Sequence, residues 1–151
     1  MISYLADINV WLAMTWDLHP LHRPARRWFN AQKNKEVELL FCRFTMLRFL
    51  RLLTDQTVMG DSVATLHQAL EIYDRWLLDP RVSVAQEPRA AETILLETMQ
   101  PFLAAPAAKA IADCYLASFA EAIGAQLVTF DRGLSETVKF RKNPMVRLRL
   151  A

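Results

Sequence analysis

Short apolar runs alternate with helical stretches along this chain. Residues 2–5 form an apolar run that stops at Asp7, which predicts a buried strand. Residues 10–14 predict one or two turns of helix, with Asp7 or Asn9 as the cap. Residues 16–22 read as a turn around Pro20. Pro24 then stands in the first turn of a helix in which Ala25, Trp28 and Phe29 recur at helical spacing, running to about Gln32. The charged stretch 33–36 leads to a second strand at 37–42. Phe44, Leu47, Leu50, Leu52 and Leu53 predict a helix ending near Asp55. Asp61 or Ser62 is expected to cap a longer helix carrying Leu66, Ala69, Tyr73 and Leu77, which residues 78–80 stop.

The second half continues the alternation. Residues 82–84 predict a third strand and residues 90–99 a helix. Pro106 opens an Ala-rich helix over about 107–122, and Gly124 is placed to end it. Residues 127–129 predict a fourth strand, followed by a turn at 131–133. Val146, Leu148 and Leu150 alternate with Arg147 and Arg149, the pattern of a last strand with one wet face. Strands that alternate with helices in this way predict an α/β fold in three layers, α/β/α, around a mostly parallel sheet of four to five strands. No repeat or linker divides the chain, so residues 1–151 are expected to form one domain.

Composition narrows the classes. Over 151 residues, 53% hydrophobic content suffices for a core and excludes a disordered chain. Lys+Arg at 18 against Asp+Glu at 16 gives a net charge of +2, too little for nucleic-acid binding by bulk charge, though not for a local basic patch. No apolar run approaches a membrane span, and the start of the chain lacks a basic leader. The two cysteines, Cys42 and Cys114, have no metal-type spacing and point to a reducing, cytoplasmic setting. Three glycines form no phosphate-cradling loop.

Three acids stand in telling places. Asp7 and Asp131 each follow a strand's apolar run, so both are expected on the rim where open α/β sheets bind ligands. Asp113 interrupts an apolar helix among small neighbours, and its face would point at the sheet. Each acid also has a plainer use: Asp7 as a cap, Asp131 closing a turn, Asp113 pairing with Lys109 one helical turn earlier. Together, clustered carboxylates repel one another, and a hard divalent cation relieves the conflict. Such a site suits phosphodiester hydrolysis.

In Leu5-Ala6-Asp7-Ile8-Asn9-Val10-Trp11-Leu12-Ala13, His19-Pro20-Leu21-His22-Arg23-Pro24-Ala25-Arg26-Arg27-Trp28-Phe29, Phe41-Cys42-Arg43-Phe44-Thr45, Leu50-Arg51-Leu52-Leu53-Thr54, Asp113-Cys114-Tyr115-Leu116-Ala117 and Leu127-Val128-Thr129-Phe130-Asp131-Arg132-Gly133, taken in order, the chain resembles the PIN-domain ribonucleases, and among them the VapC toxins of toxin–antitoxin pairs. The resemblance runs nearly end to end. It implies a PIN-like fold, a metal-dependent endoribonuclease that is usually dimeric, and a cognate VapB-type antitoxin that holds it inactive. It makes Asp7 and Asp113 metal ligands, with Asp131 completing the acidic pocket. Many members of the family place a glutamate where Arg48 stands here, on the helix after the second strand.

Other features fit less specific roles. His19 and His22 flank Pro20 and suit a loop better than a zinc site. Arg23, Arg26, Arg27, Arg43, Arg48 and Arg51 are candidates for an RNA path or for solvated helix faces. Trp11, Trp16, Trp28 and Trp76 suit packing better than base stacking. The helices around Leu47 to Leu53 and Leu66 to Leu77 are apolar enough to be covered by a second copy or by an antitoxin, or to be ordinary core helices.

The sequence is therefore read as a cytoplasmic toxin of a VapBC-type pair that cleaves RNA with Mg²⁺, for which Mn²⁺ can substitute. Asp7 and Asp113 would bind the ion directly, and Asp131 directly or through water. Asn9 and Thr129 would orient a carboxylate or water. The partners are RNA, an antitoxin and a second copy of the chain, with no membrane. The rival reading is a binding module of the same fold whose catalysis Arg48 has impaired. A phosphatase acting on small phosphates is a weaker rival.

Overall fold

A computed structural model describes residues 1–139, 141 and 145–148. Among these residues five parallel strands, β1 (Ile2–Ala6), β2 (Val37–Phe41), β3 (Val82–Val84), β4 (Gln126–Thr129) and β5 (Met145–Arg147), form one sheet in the order β3-β2-β1-β4-β5. Eight α-helices among the described residues connect and cover it: α1 (Ile8–Thr15), α2 (His22–Asn30), α3 (Arg43–Leu53), α4 (Gln56–Met59), α5 (Leu66–Leu77), α6 (Ala90–Met99), α7 (Ala108–Ile123) and α8 (Arg132–Thr137). The expected three-layer α/β architecture is present, and every strand pairing is parallel.

Successive side chains of a strand point to opposite faces, and the core divides accordingly. Ala6, Leu39, Phe41 and Val128 join Trp11, Phe29, Phe49, Leu53 and Tyr73 beneath α1, α2, α3 and α5. Leu5, Leu40 and Leu127 join Leu116, Phe119 and Leu134 beneath α7 and α8. Trp11 lies flat on Phe41, with ring centroids 3.7 Å apart, and is fully buried. Packing likewise accounts for Trp28 against Tyr4, and for Trp76, whose Nε1–H donates to Thr15 Oγ1 at 2.9 Å. Trp16 sits edge-on to His19.

Three local expectations are corrected. Asp61 and Ser62 do not cap the long helix. They lie in a 3₁₀ turn, and Thr65 caps α5 through a reciprocal box with Gln68, each accepting from the other's backbone N–H. The short α4 has no counterpart in the sequence pattern; Asp55 caps it by accepting from Thr57 N–H. Residues 131–133 do not form a bare turn: Asp131 is the N-cap of α8. Pro24 does fall in the first turn of α2, which starts at His22 and ends at Asn30. Gly124 ends α7 with φ 70°, the left-handed conformation expected of a C-terminal glycine. In the last strand, β5 covers Met145–Arg147 and Leu148 is buried; Arg149 and Leu150 lie outside the described residues.

The strand order fixes where a site can be. From β1, successive connections lead outward through β2 to β3, then the chain crosses back to β4 on the other side of β1. The carboxyl ends of β1 and β4 therefore border the topological switch point, the crevice where open α/β sheets bind ligands.

Candidate active site

Asp7 and Thr129 bracket this crevice. Asp7 directly follows β1 and caps α1: its Oδ1 accepts from Ile8 N–H at 2.7 Å. Thr129 ends β4 and is fully buried. Its hydroxyl donates to Asp7 Oδ2 at 2.9 Å and accepts from Asp131 N–H at 2.9 Å and from Asn9 Nδ2 at 3.3 Å. Asn9 Oδ1 in turn accepts from Phe130 N–H at 3.2 Å. Asn9 and Thr129 thus tie the start of α1 to the loop after β4 and fix the orientation of the Asp7 carboxyl group. Both oxygens of Asp7 have a partner, and the residue is 5% exposed.

Asp131 is exposed, and its Oδ1 accepts from Gly133 N–H at 2.7 Å. Asp113 sits half-buried on α7. It makes no side-chain hydrogen bond and no ion pair among the described residues, so the pairing with Lys109 does not form. The three acids nevertheless share one electrostatic field. Burial pushes the Asp113 carboxyl up to about 6, with further push from Asp131 and then Asp7 and an opposing pull from Arg48. Burial also raises Asp7, against the Thr129 hydroxyl, the Ile8 N–H and Arg48, while Asp131 adds to the rise. Among the described residues, no three of His, Cys, Asp and Glu stand close enough to close around one ion.

Arg48 is exposed on α3, its guanidinium carbon 5.3 Å from the centroid of the Phe44 ring. Phe44 is the residue here that the sequence alone does not single out for the site. Its one signal is the i, i+4 spacing to Arg48, which places both on one helix face. The histidines lie elsewhere: His22 Nδ1–H donates to Ala13 O at 2.7 Å, and His19 Nδ1 accepts from Leu21 N–H at 3.0 Å, as loop and helix-entry roles require.

Comparison with known proteins identifies the family and the fold. The PIN domain family matches residues 4–139. Ribonuclease VapC41 of Mycobacterium tuberculosis is 36% identical over 138 residues, which cover 87% of this chain and 91% of that one. Ribonuclease VapC38 of the same organism is 26% identical over 144 residues, covering 95% and 96%. Two solved structures share the fold. VapBC2 from Rickettsia felis, bound to a DNA fragment from its promoter, matches with TM-score 0.66 and 12% identity over 97% of this chain and 98% of that one. VapC20 of Mycobacterium tuberculosis, described as a sarcin-ricin loop cleaving toxin, matches with TM-score 0.62 and 15% identity over 88% and 93%. The chain belongs to the PIN-domain family and, within it, to the VapC ribonucleases.

Proposed function

We propose that this protein is the toxin of a VapBC-type pair, a Mg²⁺-dependent endoribonuclease that hydrolyses RNA phosphodiester bonds, with residues 1–151 as one domain. One observation carries the reading: the carboxyl group of Asp113, without a hydrogen-bond or ion-pair partner among the described residues, shares a field with Asp7 and Asp131 near the switch point of the sheet. Carboxylates left in mutual repulsion are the chemistry of a cation site.

The residues fit a hard cation that keeps part of its water shell. Mg²⁺ is commonly held through one or two carboxylates and several waters. That suits a site where no three acids among the described residues converge on a single point. Asp7 and Asp113 would bind directly, and Asp131 directly or through water, with Mn²⁺ as a substitute. When bound, such an ion polarises a phosphoryl oxygen and lowers the pKa of water. The chain's own residues supply the geometry. The Thr129 hydroxyl and the Ile8 N–H hold the Asp7 carboxyl in one orientation, and Asn9 locks Thr129 to α1. Asp113, with no competing partner among the described residues, is available to a cation entering from solvent.

An RNA substrate is supported by the family and by the cleavage described for VapC20. A VapB-type antitoxin is supported by the fold shared with VapBC2. Leu47, 57% exposed on α3, and Leu66, 59% exposed on α5, support apolar faces covered by an antitoxin or by a second copy in a homodimer. Among the described residues no helix is long and apolar enough to cross a membrane. A cytoplasmic setting is supported by Cys42 and Cys114, which are buried free thiols of the kind a reducing compartment keeps. The rival reading, a binding module impaired because Arg48 replaces the usual acid, is not the better supported, since the relatives similar to this chain over most of its length are ribonucleases.

Incubation of the purified protein with single-stranded RNA tests the proposal. Cleavage should require Mg²⁺ or Mn²⁺, stop in chelator and be lost in Asp113→Asn. Expression without an antitoxin should slow growth, and Asp7→Ala should relieve it. A folded wild-type protein that leaves RNA intact in Mg²⁺ and is harmless when expressed would overturn the reading.

A further inference from the structure

Arg48 is the cation whose charge acts on both Asp7 and Asp113. A guanidinium beside acids ordinarily satisfies them through forked hydrogen bonds. Arg48 does not. It makes no hydrogen bond and no ion pair among the described residues, and it rests on an aromatic ring instead. Its neighbour Arg43 differs, donating to Met46 Sδ at 3.1 Å.

The seat is built from two helices. Phe44, one turn before Arg48 on α3, carries the guanidinium. The Phe44 ring meets the Tyr115 ring at 5.3 Å between centroids, and the Tyr115 hydroxyl donates to Glu87 Oε1 at 2.7 Å. Tyr115 lies on α7, two residues beyond Asp113. One aromatic contact therefore ties the helix that carries Arg48 to the helix that carries Asp113. The cation is held near the acids by a cation–π contact, with no N–H donor committed among the described residues.

An RNA backbone entering this site meets three carboxylates of its own sign. A forked, exposed cation beside the acids offsets that repulsion and offers two parallel donors to a phosphate. We propose that Arg48, seated on Phe44, clamps a backbone phosphate of the RNA beside the acid cluster. The proposal rests on the ribonuclease reading above. It makes Arg48 a substrate-binding residue that contacts the backbone and reads no base.

The test is binding of a short single-stranded RNA in chelator, followed by fluorescence anisotropy across a salt series, with Arg48→Ala, Arg48→Lys and Phe44→Leu. Arg48→Ala is expected to weaken binding about tenfold and to lower the log–log salt slope by about 0.7, the loss of one phosphate contact to a single strand. Arg48→Lys keeps the slope and binds more weakly than wild type, because it loses the fork. Phe44→Leu keeps the charge and also weakens binding, because it removes the seat. In Mg²⁺ the loss in Arg48→Ala appears in KM more than in kcat. Titration with Mn²⁺ alone gives a readout without RNA: Arg48→Ala binds the cation more tightly than wild type, since a like charge has gone. If Arg48→Ala matches wild type in RNA affinity and salt slope while the wild type cleaves RNA, the clamp is overturned and the ribonuclease reading stands. If the wild type neither binds nor cleaves RNA, that reading falls and the clamp falls with it.

Discussion

The hydroxyl of Thr129 donates to Asp7 Oδ2 at 2.9 Å, joining the ends of two neighbouring parallel strands across 122 positions of sequence. The same oxygen accepts from Asp131 N–H, so a single buried atom positions one acid by its side chain and another by its backbone. Thr129→Val keeps the shape and removes the hydroxyl. It leaves a buried carboxyl oxygen without its donor, which costs about 1–3 kcal/mol of stability. It also removes an interaction that lowers the Asp7 carboxyl, which therefore rises further. Cleavage should fall about 10–100-fold, while Thr129→Ser, which restores the hydroxyl, should recover most of it. Thermal unfolding and cleavage rates of the pair of variants measure both effects. Equal activity in Thr129→Val and wild type would remove Thr129 from the site's support.

Much of this is legible in the chain. A strand's apolar run ended by an acid is a local signal, and a parallel topology turns it into a position, so the sequence alone places Asp7 and Asp131 on one rim. Which partner each acid chooses is not legible. Thr129 and Asp7 are distant in sequence, and their hydrogen bond depends on a register, Ala6 opposite Val128, that no local pattern specifies. Helix starts are obscured for a related reason. Asp61, Ser62 and Thr65 are all competent caps, and Thr65 takes the role because Gln68 three residues on closes the reciprocal box. Asp131 looks like a turn residue because the apolar signal after it is weak; Leu134 and, at the C-cap, Val138 anchor α8 in the core.

Asp113 should make the metal-free protein less stable than it need be. Its carboxyl group, ordinarily near 3.8, is pushed up to about 6 by burial and by the two neighbouring acids. Between these values the folded chain binds the proton more often than the unfolded chain does, so stability falls as pH rises through the window. The penalty is complete above about pH 6 and absent below about pH 4. Asp113→Asn removes the charge and keeps the shape. In chelator at pH 7.5 its melting temperature should exceed that of wild type by on the order of 1–3 °C, solvent screening at this half-exposed site keeping the gain small. Near pH 4 the two should melt together. A variant that melts below wild type at pH 7.5 contradicts this account of the acid cluster.

Gly124→Ala isolates a backbone effect. Gly124 has φ 70°, and a Cβ built there meets nothing within 4 Å. No packing opposes the methyl group, so the cost is that of holding an L-residue in the left-handed region, roughly 1–2 kcal/mol. Chemical denaturation should show that loss with an unchanged slope in denaturant, and cleavage by the folded variant should match wild type. A larger loss, or altered cleavage, would mean that the α7 terminus is coupled to the site.

Gly133→Ala probes Asp131 without touching its charge. A Cβ at Gly133 would stand 3.0 Å from Asp131 Oδ1, the oxygen that accepts the Gly133 N–H at 2.7 Å. The added methyl group must move this carboxylate by a few tenths of an ångström or break the cap of α8. The cap is exposed, so the stability cost is modest, about 0.5–1 kcal/mol. The functional effect depends on how Asp131 serves the cation. A direct ligand tolerates little displacement, because Mg²⁺ demands near-ideal geometry; a water between them absorbs the shift. Titration with Mn²⁺ of Gly133→Ala beside Asp131→Asn separates the two. We expect Asp131→Asn to weaken binding by more than Gly133→Ala, which should lie within about threefold of wild type, as contact through water requires. If Gly133→Ala weakens Mn²⁺ binding as much as Asp131→Asn does, Asp131 is a direct ligand whose position the glycine exists to protect.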